Sequence, residues 1–142
     1  MSEEHPARQA GLASQRLVRE DERDAWLALF SDDAIIQDPV GTSPLDPSGK
    51  GHRGKEAITK FYDTVIAGSK ARFEVEKSYA AGDECAFVGQ IVTERPGSPP
   101  TVVDLIAVYR VGEDGKLASM RAFWEFDALM KKLQAAPNSD GD

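Results

Sequence analysis

The sequence predicts an α+β domain in which a strongly curved antiparallel sheet wraps around N-terminal helices and leaves a cone-shaped pocket. Three observations predict it. Apolar residues first recur at the three- and four-residue spacing of helices, and in the second half of the chain they alternate as in strands. The alternating stretches are joined by short turn-forming connections, which makes them an antiparallel meander. Helices that precede the strands, rather than interleave with them, cover one face of the sheet.

Each element has its own signal. Helix formers dominate Ala7–Val18 and Asp21–Phe30, and Trp26, Leu27 and Phe30 form a buried helical stripe. Ser31-Asp32-Asp33 stops that helix, Ala34–Asp38 reads as a short strand, and Pro39 and Gly41 turn the chain. Residues 42–54, rich in Gly, Pro, Ser and Asp, form a loop whose part Pro44–Gly54 overhangs the pocket rim. An amphipathic helix over Lys55–Ala67 presents Ile58, Phe61, Tyr62 and Val65 on one side. Arg72–Ala80 alternates, with Phe73, Val75 and Tyr79 on one face. Ala81-Gly82-Asp83 turns it into Glu84–Arg95, and Pro96–Pro100 breaks that strand before Thr101–Val111. Gly112–Gly115 is a hairpin turn into Lys116–Glu125, and a last helix covers Asp127–Gln134. One domain over 7–134 is expected, with flexible tails at 1–6 and, acidic, at 135–142.

Composition narrows the function. The chain has 142 residues, and 24 acidic against 17 basic side chains give a net charge of −7, without the basic face that nucleic acid demands. Hydrophobic residues at 41% can build a core, yet no apolar run approaches the roughly 20 residues of a membrane span. The polar start Met1–Gln9 lacks a secretory signal, so a cytoplasmic location is expected. Cys85, the sole cysteine, excludes an internal disulfide and a multi-thiolate metal site. His5 and His52 have no second ligand at metal spacing, and Ser43, Ser48 and Cys85 lack a partnered histidine. Gly49, Gly51 and Gly54 do not have the strand-loop-helix order of a phosphate loop. Neither a metal nor a cofactor is expected, and composition leaves a protein that takes a small molecule or a protein-binding module.

Asp38 is the candidate catalytic residue. Alternation puts it on the strand face of Ala34 and Ile36, which is apolar, and a carboxylate there loses water and is pushed towards its neutral form. Such a group is a candidate general base. The alternative is that Asp38 opens the turn, as aspartate before proline commonly does.

The run Asp24–Gly41, which ends in Asp-Pro-Val-Gly, resembles the segment around the catalytic aspartate of bacterial Δ5-3-ketosteroid isomerases, as do Ala57–Tyr62 and Gly115–Trp124. The resemblance spans about residues 13–127 and implies the cone-shaped fold of the nuclear transport factor 2 and SnoaL-like superfamily. It makes Asp38 the base that removes a proton beside a steroid ketone and returns it two carbons along. In the isomerases a tyrosine and a protonated aspartic acid stabilise the resulting oxyanion. Here the matching positions are Leu17 and Ala107; Asp104, three residues before Ala107, points to the opposite strand face.

By resemblance, Tyr62 supports the oxyanion network and Trp124 lines the steroid site. Tyr109 shares the strand face of Ala107, and Met120 and Ala122 belong to the wall of Trp124; plain core packing is the alternative for Tyr109 and Tyr79. Phe61 and Phe87 complete the expected lining with Leu17 and Ala107. The resemblance implies a homodimer paired through the outer sheet face. The reading is a steroid isomerase-like enzyme; its alternatives are a SnoaL-like cyclase, dehydratase or hydrolase, or a non-catalytic module that binds a hydrophobic ligand. An epoxide hydrolase would want an Asp, Arg and Asp cluster, and Arg121 alternates away from Met120 and Trp124.

Overall fold

The structure, a computed structural model, describes residues 5–140. Of the expected tails, residues 1–4 and 141–142 lie outside the described residues. Helix α1 (Pro6–Arg19) starts at once because Pro6 needs no N–H partner in the first turn, and His5 Nδ1 accepts from the Ala7 N–H at 3.1 Å. His5 Nε2 donates to the Gly82 carbonyl at 2.9 Å, tying the helix start to a distant turn. A short helix α2 (Arg23–Ala28) follows, then strand β1 (Phe30–Gln37). Phe30 therefore lies in a strand, where it pairs with Leu117, rather than in the last turn of a helix.

Strand β2 (His52–Arg53) turns part of the expected loop into a sheet edge. The loop before it is held from within: Asp46 is buried and accepts from the Gly51 N–H at 2.8 Å and the Ser48 hydroxyl at 3.1 Å. Helix α3 (Lys55–Phe61) passes into a π-helical turn, Tyr62–Ile66. Strands β3 (Ala71–Ala81), β4 (Glu84–Arg95), β5 (Ser98–Val111) and β6 (Leu117–Phe123) form the meander, and helix α4 (Phe126–Asp140) continues past Gln134, where the sequence pattern ends it.

The six strands lie in the order β2-β1-β6-β5-β4-β3. The α+β class with N-terminal helices is the one the sequence predicts. One pairing differs from a wholly antiparallel sheet: β1 runs parallel to β6, placing Gln37 beside Arg121 and thus Asp38 at the mouth of β6. A bulge between Val75 and Lys77 also reverses the alternation of β3. Phe73 therefore packs inward, whereas Tyr79 is 61% exposed and belongs to neither core nor pocket. Gly89 permits that bulge, since a Cβ there would lie 2.1 Å from the Glu74 carbonyl oxygen.

The core fills the closed end of the cone. Trp26 packs on Phe30 and Tyr62, with ring centroids 4.6 and 5.2 Å apart, and its indole N–H donates to Ser14 Oγ at 3.0 Å. That bond locks α1 to α2 and satisfies a polar atom that burial would otherwise strand. Across α1, Gly11 meets Phe87 and Tyr109: a Cβ there would stand 2.5 Å from Phe87 Cε1 and 2.9 Å from Tyr109 Cδ1. Gly11→Ala gains about 1 kcal/mol of helix propensity but overpacks this contact, which costs about 1–3 kcal/mol. The variant should melt at or below the wild-type temperature and show altered Tyr109 fluorescence or NMR shifts; a clear rise in Tm with unchanged spectra would contradict this packing.

Among the described residues no helix is long and apolar enough to cross a membrane, and no group of three His, Cys, Asp or Glu could hold a metal.

Candidate active site

A cavity of about 320 Å³ lies inside the cone, a volume within the range of small-molecule pockets. Its walls come from α1, Trp26 of α2, the end of β1, the π-helical turn, the inward faces of β3 to β6, Leu129 of α4 and Leu45 of the rim loop. Alternation on β5 turns Leu105, Ala107 and Tyr109 inward, and on β6 it does the same for Met120, Ala122 and, just beyond, Trp124.

Asp38 stands on this wall, one residue past β1, and among the lining residues it is the one carboxylate. The Trp124 indole N–H donates to Asp38 Oδ1 at 2.6 Å. Burial pushes the Asp38 carboxyl above its ordinary value; the Trp124 bond and the nearby His52 offset part of that rise. One carboxylate oxygen is thus anchored by an indole, in surroundings that make proton uptake easy. Tyr109 is buried on the same wall, beside Ser14 and Gln15. Burial pushes its phenol up to about 12, so it keeps its proton and remains a hydrogen-bond donor across the physiological range.

The cavity therefore brings together Asp38, Trp124, Tyr109, Met120 and Ala107 of the residues expected from the sequence. Leu17, Phe61, Tyr62 and Phe87 are not among its lining residues. Leu17 is buried in the core, because the face of α1 that meets the cavity carries Ser14, Gln15 and Val18 instead. Phe61 packs on the His52 ring, centroids 4.8 Å apart. Phe87 meets the Tyr109 ring edge to face at 5.5 Å and is covered by Gly11, so it supports the wall from behind.

The Tyr62 hydroxyl donates to Asp21 Oδ1 at 2.7 Å, and burial together with Asp21 pushes its phenol up to about 12. This residue ties the π-helical turn to the segment between α1 and α2, which is a structural task. Tyr62→Phe should cost about 1 kcal/mol of stability and leave ligand affinity and any turnover within about twofold, as read by thermal melts and titration. A loss of activity without a loss of stability would return Tyr62 to the site.

Two further expectations concern charges. Asp104 remains outside: its pairing with Gln90 lies in an unbroken stretch of register, and its Oδ1 accepts from Gln90 Nε2 at 3.1 Å. Arg121 is exposed, donates to Gln37 Oε1 at 2.9 Å and lies over the Phe123 ring, so it does not reach the cavity. The sequence reading missed Ser14, Gln15 and Val18; the signal for them was the helical stripe Ala7, Gly11, Ser14 extended to Gln15 and Val18.

A family model described as a SnoaL-like domain matches residues 13–120. The chain is 36% identical over 100 residues to a steroid Δ-isomerase of Nocardioides simplex, covering 70% of this chain and 74% of that protein. It is 30% identical over 145 residues to the epoxide hydrolase LasB of Streptomyces lasalocidi, covering 99% of this chain but about half (49%) of that protein. Among solved structures it resembles RV0760c of Mycobacterium tuberculosis in complex with estradiol-17β-hemisuccinate. That similarity has a TM-score of 0.81 at 36% identity and covers 87% of this chain and 97% of the other.

Proposed function

Since this chain belongs to the family of SnoaL-like domains, we propose that it moves a double bond within a steroid or a similarly sized apolar ketone by proton transfer at Asp38. The observation that carries the reading is a lone carboxylate on the wall of an otherwise largely apolar cavity, hydrogen-bonded through one oxygen to Trp124. The steroid Δ-isomerase relative and the steroid-bound neighbour support the ligand class.

The chemistry balances within the substrate and one side chain. The Asp38 carboxylate takes the proton from the carbon between the ketone and the double bond, and the electrons of that C–H bond move into a dienolate whose charge rests on the ketone oxygen. Asp38 is then a neutral acid, the form its enclosure favours. It returns the proton two carbons along, the dienolate collapses to the conjugated ketone, and the carboxylate is restored. The bond from Trp124 holds one oxygen still, so that the other can swing between the two carbons with little motion.

The match to an epoxide hydrolase favours a second reading, hydrolysis of an epoxide on the same scaffold. That chemistry lacks its usual cluster here: Arg121 lies outside the cavity, Arg72, which does line it, is paired with Glu74 and Glu94, and Asp38 has no second lining carboxylate. The test is turnover of a Δ5-3-ketosteroid by the purified protein, with an apolar epoxide of similar size in parallel. Conjugated ketone from the first substrate alone is the expected result. Diol from the epoxide alone would select the second reading, and tight steroid binding with no product would make the protein a carrier.

A further inference from the structure

Gln15 is 7% exposed, lines the cavity from α1, and its side-chain Nε2 has no hydrogen-bond partner among the described residues. A buried amide N–H is ordinarily satisfied, because leaving it unpaired forfeits its hydration for nothing. The other such atom, His52 Nε2, belongs to a ring packed on Phe61 and does not line the cavity. Gln15 therefore presents a buried donor to whatever fills the pocket, its amide lying beside the Tyr109 hydroxyl without a hydrogen bond of good geometry. Beside it stand Tyr109 and Ser14, and the Ser14 hydroxyl already accepts the Trp26 N–H.

We propose that the Gln15 carboxamide donates a hydrogen bond to the carbonyl oxygen of the bound ketone, with the Tyr109 hydroxyl as the neighbouring donor. The inference rests on the reading of the cavity as a ketone site and deepens it by naming the group that holds the oxygen. Neither donor changes its protonation at neutral pH, since a carboxamide does not titrate and the phenol keeps its proton. As charge develops on the ketone oxygen, donors already fixed in place stabilise it without reorganisation. The position expected from the resemblance to carry an acid, Ala107, needs no acid if this pair serves instead.

The experiment compares two steroids that are not turned over, a Δ4-3-ketosteroid and the same steroid without the 3-oxygen, titrated against wild type and Gln15→Met. Methionine keeps the length of the side chain and the helix propensity while removing the N–H. The expected result is a loss of ten-fold or more in affinity for the ketone and a change within about twofold for the deoxy compound. Equal losses for both steroids, or no loss for either, would overturn the role of Gln15 while leaving the steroid pocket intact. Should wild type bind neither steroid, the reading of the cavity fails, and this inference with it. Circular dichroism melts control for folding, and Gln15→Leu, which also removes the N–H and keeps helix propensity, gives the same contrast if the methionine variant does not fold.

Discussion

Asp38→Asn is expected to lower steroid isomerisation by about 10²- to 10⁴-fold, the range for loss of a general base, and at the same time to raise the melting temperature at neutral pH. The two effects have one cause. Burial holds the carboxyl above its ordinary value of 3.8, so folding favours the neutral acid. The stability this neutral form contributes is fully present below the ordinary carboxylate range and is lost as the pH rises through the raised folded-state value. Asparagine does not titrate and can still accept the Trp124 N–H, so it escapes that loss. The gain in Tm over wild type should therefore shrink as the pH is lowered towards 4 and be largest at neutral pH. A variant that is less stable than wild type at neutral pH would mean that the charged carboxylate is better solvated than the geometry implies.

Trp124→Phe should have the next largest effect, and a different signature. The indole N–H favours the charged form of Asp38, so its removal pushes the carboxyl further up. The acid limb of kcat/KM then moves to higher pH. A hydrogen bond to a charged group is worth about 1.5–3 kcal/mol, so activity on the acid side should fall by about ten-fold or more, with part of the loss recovered as the pH is raised. Phenylalanine keeps much of the apolar wall, so affinity for a steroid without oxygen should change little. A uniform loss at every pH would assign Trp124 to substrate packing alone.

How much of this was legible in the sequence depends on which elements keep a simple period. Along β5 and β6 the alternation runs unbroken from Asp104 to Arg110 and across Met120 to Trp124, so Ala107, Tyr109, Met120 and Trp124 could be assigned to the inner face by counting. Asp38 was legible for the same reason, through the apolar face of Ala34 and Ile36. Counting fails where the period shifts. The bulge between Val75 and Lys77 turns Tyr79 outward, and nothing in Arg72–Ala80 announces it except Gly89 on the neighbouring strand. On α1 the resemblance pointed to Leu17, yet each helical residue rotates by about 100°, so Leu17 lies some 200° around the helix from Gln15. Phe61, Tyr62 and Phe87 satisfy every sequence criterion for a pocket wall; they are buried by contacts with His52, Asp21 and Gly11, which are distant in the chain.

The central claim is that one enclosed carboxylate moves the proton, and the pH dependence of kcat/KM on a Δ5-3-ketosteroid tests it most directly. The account predicts a wild-type profile whose acid limb lies above the ordinary carboxylate range and which shows no alkaline loss from the Tyr109 phenol until about 12. An Asp38→Asn profile that lies as high as wild type, or a wild-type limb at or below 3.8, would contradict it.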